Sequence, residues 1–171
     1  LGYSLNDTNP SHLKEAEKDL NHLTPQVRGV VGDEVTMMLE QNEGNIAVVW
    51  SGVAAPLVQD NDKYNYVIPK EGSNLWFDNM VIPKTAQNKE GAYKFMNFLL
   101  DAKNNKQNTE WVGYATPNKA ARQLLPKEVR DDHRFYPTQK EQSRLEVYKD
   151  LGPKTLGEYN ESFLNFKMSL K

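Results

Sequence analysis

Apolar residues along the chain recur in two ways, three or four apart in some stretches and nearly continuous in others, and the two spacings predict different elements. Leu13, Ala16, Leu20 and Leu23 follow Asn9-Pro10-Ser11 at helical spacing, with Lys14, Glu15 and Lys18 on the other side. A surface helix is expected there, ended by Pro25. Val27 to Val31 is a short apolar run, and Glu34 to Gln41 is helix-compatible up to the turn Asn42-Glu43-Gly44-Asn45. Ile46-Ala47-Val48-Val49-Trp50 is continuously apolar, of strand length and bounded by turn residues, the pattern of a strand covered on both faces. After Ser51-Gly52 a short helix is expected over 53–59, then extended stretches over 64–69 and 75–82, the second closed by Pro83.

Asn88-Lys89-Glu90-Gly91 opens an amphipathic pattern whose buried stripe is expected to be Ala92, Phe95, Met96, Leu99 and Leu100. One further helix should end at Gly113. Another should be capped by Thr116 with Pro117 at its first position and run to Leu125. Residues 126–137 are polar and read as irregular, and helices are expected over 139–149 and 155–170 around Gly152-Pro153. Strands alternating with helices predict an α/β chain with a helical tail.

Composition narrows the functional classes. The 171 residues carry 21 Lys and Arg against 23 Asp and Glu, with no dense basic run, so the electrostatic footprint of a nucleic-acid binder is missing. Cysteine is absent, which removes disulfides, thiolate nucleophiles and cysteine-ligated metal together. No apolar run approaches the roughly 20 residues that span a bilayer. The opening Leu1-Gly2-Tyr3-Ser4 has neither an initiator Met nor a basic region before an apolar core, so any export signal is expected upstream.

Catalytic chemistry finds little support. There is no Gly-x-Ser-x-Gly and no phosphate-cradling glycine loop. His12, His22 and His133 are scattered and lack the spacing that sets two imidazoles around one ion, and Asp131-Asp132-His133 reads as a solvated charge cluster. Neither a metal nor a cofactor is expected.

The residues that draw attention are aromatic. Trp50 stands where an apolar run meets the Ser51-Gly52 turn, at the expected carboxyl end of a strand, where open α/β sheets bind ligands. In Trp76-Phe77-Asp78, the two-residue strand period sends Trp76 and Asp78 to one side and Phe77 to the other, into the expected core. A single tryptophan is more often a core residue than a ligand contact, but an aspartate within an apolar stretch weighs against that reading here. Aromatic faces beside a carboxylate suit an alkyl ammonium, whose charge is drawn to the ring quadrupole and hydrogen-bonded by the carboxylate. A sugar would also stack on tryptophan, and these residues alone leave both ligands open.

The stretches Tyr66-Val67-Ile68-Pro69-Lys70-Glu71-Gly72 and Trp76-Phe77-Asp78-Asn79-Met80-Val81-Ile82-Pro83 resemble the spermidine/putrescine-binding proteins of bacterial ABC importers. Asn88-Lys89-Glu90-Gly91-Ala92 with Phe98-Leu99-Leu100, Gly113-Tyr114-Ala115-Thr116-Pro117-Asn118 and the opening Leu1-Gly2-Tyr3-Ser4 resemble the same family, in the same order. The resemblance implies a periplasmic-binding-protein-like fold of type II, two α/β lobes closing on polyamine, of which this chain would be a carboxy-terminal fragment. It implies ligand contacts at Trp50, Trp76, Asp78 and Tyr114. At Tyr148 the chain departs from the family, which has a ligand-contacting glutamine there, so the preference between putrescine and spermidine stays open; an aromatic on a helix face is an equal reading of Tyr148.

The resemblance also implies that residues 1–76 and 123–171 belong to the second lobe, with 77–122 crossing to complete the first. The missing amino-terminal half of the same protein would then be a partner. Its absence would expose apolar surface, favouring association with another copy or a partner. The expected role is non-enzymatic capture of polyamine outside the cytoplasmic membrane, in the periplasm or at its outer face, for delivery to an ABC permease, with no nucleic acid involved. Binding of a sugar or another cationic amine is the alternative, and a small α/β enzyme ranks last.

Overall fold

A computed structural model describes residues 1–170. The chain divides into two compact units, one formed by 1–47, 70–76 and the segment from Arg144 onward, the other by 48–69 and 77–143. Residues 48–69 and 123–143 thus group with 77–122, whereas the lobe assignment implied by the resemblance places them with 1–47.

The first unit begins with α1 (Pro10–Leu23), whose first turn is closed by the Asn9 side chain accepting from the Ser11 N–H at 2.9 Å. A 3₁₀ turn at Thr24–Gln26 ends it at the expected proline, and α2 (Val35–Glu40) follows. The long carboxy-terminal helix of this unit, Gly152–Ser169, packs on α1 and buries Phe166. The Tyr159 hydroxyl donates to the Asp7 carbonyl at 2.8 Å, fixing the chain that leads into α1.

Two three-residue strands complete this unit: β1 (Ser73–Leu75) and β2 (Leu145–Val147) pair in parallel, with Ser73 opposite Leu145, Asn74 opposite Glu146 and Leu75 opposite Val147. Gly72 has φ +115°, and a Cβ there would stand 2.5 Å from the Arg144 carbonyl oxygen, so only glycine lets the two backbones meet where the pairing starts. Arg144 also donates from Nη1 to the Lys70 carbonyl at 3.0 Å.

In the second unit, α3 (Ser51–Asp60) buries Gly52, Ala54, Ala55, Leu57 and Val58. It is followed by α4 (Lys89–Leu100), α5 (Ala102–Val112), α6 (Lys119–Leu124), α7 (Lys127–Arg130) and α8 (Gln139–Gln142). The helix Gly152–Ser169 of the first unit is α9. Packing of α4 on α5 and of α5 on α6 is joined by buried Thr109, Ala121, Leu125 and Tyr136.

Several expected elements differ. Ile46–Trp50 forms neither helix nor strand, and Ile46 and Val48 are exposed; the sheet pairs β1 with β2 and does not include this run. The extended stretch expected over 75–82 is paired only at Leu75. The α4 stripe is not buried: Ala92, Met96 and Leu99 are half-buried, and Phe95 and Leu100 are exposed. The α6 cap is Asn118, not Thr116, because the Thr116 hydroxyl is taken by Asn105 at 2.6 Å and accepts the Asn118 N–H at 3.0 Å. The helix expected over 139–149 stops at Gln142 and gives way to β2, where pairing with β1 overrides helix-compatible residues.

Candidate aromatic ligand site

Parallel pairing of β1 and β2 decides where two of the expected site residues stand. Trp76 and Tyr148 each follow the last residue of a strand, one step beyond the Leu75 and Val147 pair. Neighbouring strands lie about 4.8 Å apart, so the two rings leave the sheet from adjacent backbone positions at the carboxyl end of both strands. Ligands of parallel α/β sheets gather at that end. Tyr148 is 57% exposed. Sequence reading gave it an equal chance of being an aromatic on a helix face; the structure places it just past a strand.

The chain entering this unit is tied to β2 through Glu146. Its carboxylate accepts the Ser4 hydroxyl, the Leu5 N–H at 3.4 Å and the Asn6 side-chain amide at 3.3 Å. The Ser4 hydrogen bond above all, with those from Leu5 and Asn6, holds the Glu146 carboxyl below its ordinary value. A similar cluster lies nearby, where Tyr3 stacks on His12 at 3.9 Å and His12 Nδ1 meets the Asp7 carboxylate at 2.8 Å. The hydrogen bond from His12 is the main reason that the Asp7 carboxyl is lowered.

In the second unit, Trp50 and Tyr114 are brought together through Gly52. Trp50 is the N-cap of α3, and a Cβ placed on Gly52 would lie 2.3 Å from Cε2 of Tyr114, so the tyrosine ring rests directly on the first turn of that helix. Pro56 lacks the N–H that would close on the Gly52 carbonyl, and Gly113 approaches that oxygen. The backbone before and after Tyr114 is fixed as well. Gly113 ends α5 at φ +74°, and the Thr116 N–H donates to the Tyr136 hydroxyl at 3.2 Å. Arg122 lies 4.1 Å over the Tyr136 ring and donates to the Arg130 carbonyl at 2.8 Å, which holds Tyr136 in turn.

Asp78 belongs to the second unit and Trp76 to the first. Asp78 is exposed and makes no hydrogen bond or ion pair among the described residues. Phe77 is not turned into a core as expected; it is 56% exposed, because the pairing that would have seated it ends two residues earlier. No three metal-ligating side chains cluster among the described residues. The sequence pattern does not single out Gly52 or Asn6, which act on the candidate residues by contact rather than by chemistry; in sequence Gly52 is only a break after the apolar run.

Comparison with known proteins places these features in a family. Residues 1–137 match the family described as bacterial extracellular solute-binding protein. The spermidine/putrescine-binding periplasmic protein of Salmonella typhimurium is 40% identical over 152 residues, covering 89% of this chain and 44% of that protein. A solved structure from Listeria monocytogenes, described as a candidate spermidine/putrescine ABC transporter, is 56% identical with a TM-score of 0.91 over 98% of this chain and 52% of its own. The spermidine/putrescine ABC transporter substrate-binding protein PotD of Streptococcus pneumoniae is 46% identical with a TM-score of 0.86, over 99% of this chain and 53% of its own. The chain therefore spans about half the length of these relatives. With most of its length matched by the family and its backbone superposing closely on two solved relatives, this chain belongs to the bacterial extracellular solute-binding proteins.

Proposed function

We propose that the chain is the carboxy-terminal portion of a two-lobe protein that captures polyamine, spermidine or putrescine, outside the cytoplasmic membrane and delivers it to an ABC permease. The observation that carries this reading is the placement of Trp76 and Tyr148 at the carboxyl ends of two paired parallel strands of the first unit; in the second unit the exposed carboxylate of Asp78 has no hydrogen bond or ion pair among the described residues. Trp50 and Tyr114, joined at the first turn of α3, add a second aromatic group.

Aliphatic methylenes pack on such rings, and each protonated amine is attracted to a ring face for about 0.5–2 kcal/mol. A carboxylate adds a charge-assisted hydrogen bond of roughly 1.5–3 kcal/mol. The role needs no bond to be made or broken, only binding and release, and polyamine is expected to be returned unchanged. The names of the relatives in Salmonella and Streptococcus support the same ligand class.

Calorimetric titration of the full-length protein with spermidine, putrescine, cadaverine and a set of neutral sugars tests the reading. Saturable heats with the amines and none with the sugars are expected. Sugar binding without amine binding would overturn it.

A further inference from the structure

Tyr148 makes no side-chain hydrogen bond among the described residues and is more than half exposed, so the direction of its ring is set by its backbone. That backbone is held from one side by β1. On the other side, the carbonyl of Val147 accepts from Nδ2 of Asn6 at 3.1 Å, and the N–H of Lys149 donates to Oδ1 of Asn6 at 2.8 Å. These are the two backbone groups that flank Tyr148. In a parallel ladder, a residue of the neighbouring strand gives its N–H to one such carbonyl and takes the next such N–H on its own oxygen. The carboxamide of Asn6 carries one acceptor and a donor pair in the same plane, and it reproduces that pattern with a side chain.

We propose that Asn6 is a positioning residue for Tyr148, standing in for a strand on the free side of β2 and so fixing the tyrosine ring where it meets the polyamine. The inference rests on the reading of Tyr148 as a ligand contact. The seat of Asn6 is itself well defined. Its N–H donates to the Ser4 hydroxyl oxygen at 3.0 Å, the Asp7 N–H donates to the Ser4 carbonyl at 3.2 Å, and Ser4 and Leu5 are both bound by Glu146. The turn 4–7 thus presents one amide to the two backbone groups around Tyr148. An aspartate in its place keeps the acceptor for Lys149 but loses the donor for Val147 and Glu146 and sets a second carboxylate beside Glu146; an alanine loses all three bonds.

The test uses full-length protein carrying Asn6→Ala, Asn6→Asp, Tyr148→Ala and the double variant Asn6→Ala with Tyr148→Ala. Each is titrated with spermidine and with putrescine and melted thermally. Asn6→Ala is expected to weaken binding about three- to tenfold and to change the ratio of the two affinities, which a general loss of stability does not do. The isosteric Asn6→Asp is expected to do the same and keeps the test informative if the alanine variant does not fold. In the Tyr148→Ala background, Asn6→Ala should leave affinity unchanged. An equal loss in both backgrounds, or an unaltered affinity ratio with only a lowered melting temperature, overturns the proposal. A wild-type protein that binds polyamine and does not respond to Tyr148→Ala overturns it too, whereas a wild type that binds no polyamine refutes the functional reading itself.

Discussion

Trp76 and Tyr148 leave two parallel strands from adjacent positions, each one residue beyond the register pair Leu75 and Val147. The two rings are distant in sequence and neighbours in the fold, so each should report on the same ligand amine. In full-length protein, Trp76→Leu and Tyr148→Ala are each expected to weaken spermidine binding by roughly 2- to 30-fold, the range that corresponds to losing one cation–π contact. Calorimetric titration measures it.

Adjacent positions 77 and 78 should behave in opposite ways. Asp78→Asn removes a charge-assisted hydrogen bond and is expected to cost about 1.5–3 kcal/mol of polyamine binding, roughly ten- to hundredfold. Phe77→Leu acts on a side chain that is more than half exposed, so both affinity and stability should stay within about 0.5 kcal/mol of wild type. Titration and thermal melts of the two variants, run together, separate these effects.

A methyl group at Gly52 has nowhere to go while the Tyr114 ring lies against it. Gly52→Ala is therefore expected to destabilise by about 1–3 kcal/mol, the usual cost of overpacking a buried contact, and to weaken polyamine binding by displacing the tyrosine. The same substitution should cost much less stability in a Tyr114→Ala background, where the ring is gone. Chemical denaturation of both single variants and the double variant reads this coupling directly.

Acid should loosen the turn that seats Asn6. Glu146 is lowered mainly by the Ser4 hydroxyl, so its contribution is fully present above the ordinary value of 4.5 and is lost as pH falls through the lowered one. Asp7, lowered mainly by His12, acts in the same direction from 3.8 downward. Melting temperature is expected to fall steadily below about pH 4.5, and Glu146→Gln should start lower at neutral pH but fall less steeply, because one of the carboxyls with a lowered value has been removed. A variant as acid-sensitive as wild type would separate Glu146 from the effect.

Helices with their own capping residues and periodic faces were legible in sequence. Asn9 with Pro10 announced α1, Asn88 announced α4, and Gly113 announced the end of α5, since each of these signals is local. The strands were not legible. β2 is three residues long and its partner lies elsewhere in the chain, so nothing near Leu145 distinguishes it from a continuing helix. Ile46–Trp50 carries a strand pattern but forms no strand, and the pattern alone built no sheet. The aromatic and acidic character at Trp50, Trp76 and Asp78 was visible from residue type. Tyr114 and Tyr148 came only from resemblance, because what distinguishes them is the glycine one rests on and the strand the other follows.

The parallel pairing of β1 with β2 also fixes an order of events during synthesis. The two strands are separated by about 70 residues, and closing a loop of that length has an entropic cost that contacts must offset before the pair can persist. β1 emerges from the ribosome long before β2, with the chain of the second unit between them, and has no strand to pair with until β2 has been made. High contact order of this kind slows folding. The strand pair that places Trp76 beside Tyr148 is thus among the last parts of the chain to mature, and a truncation that ends before residue 145 would retain Trp76 while losing the strand beside which it is placed.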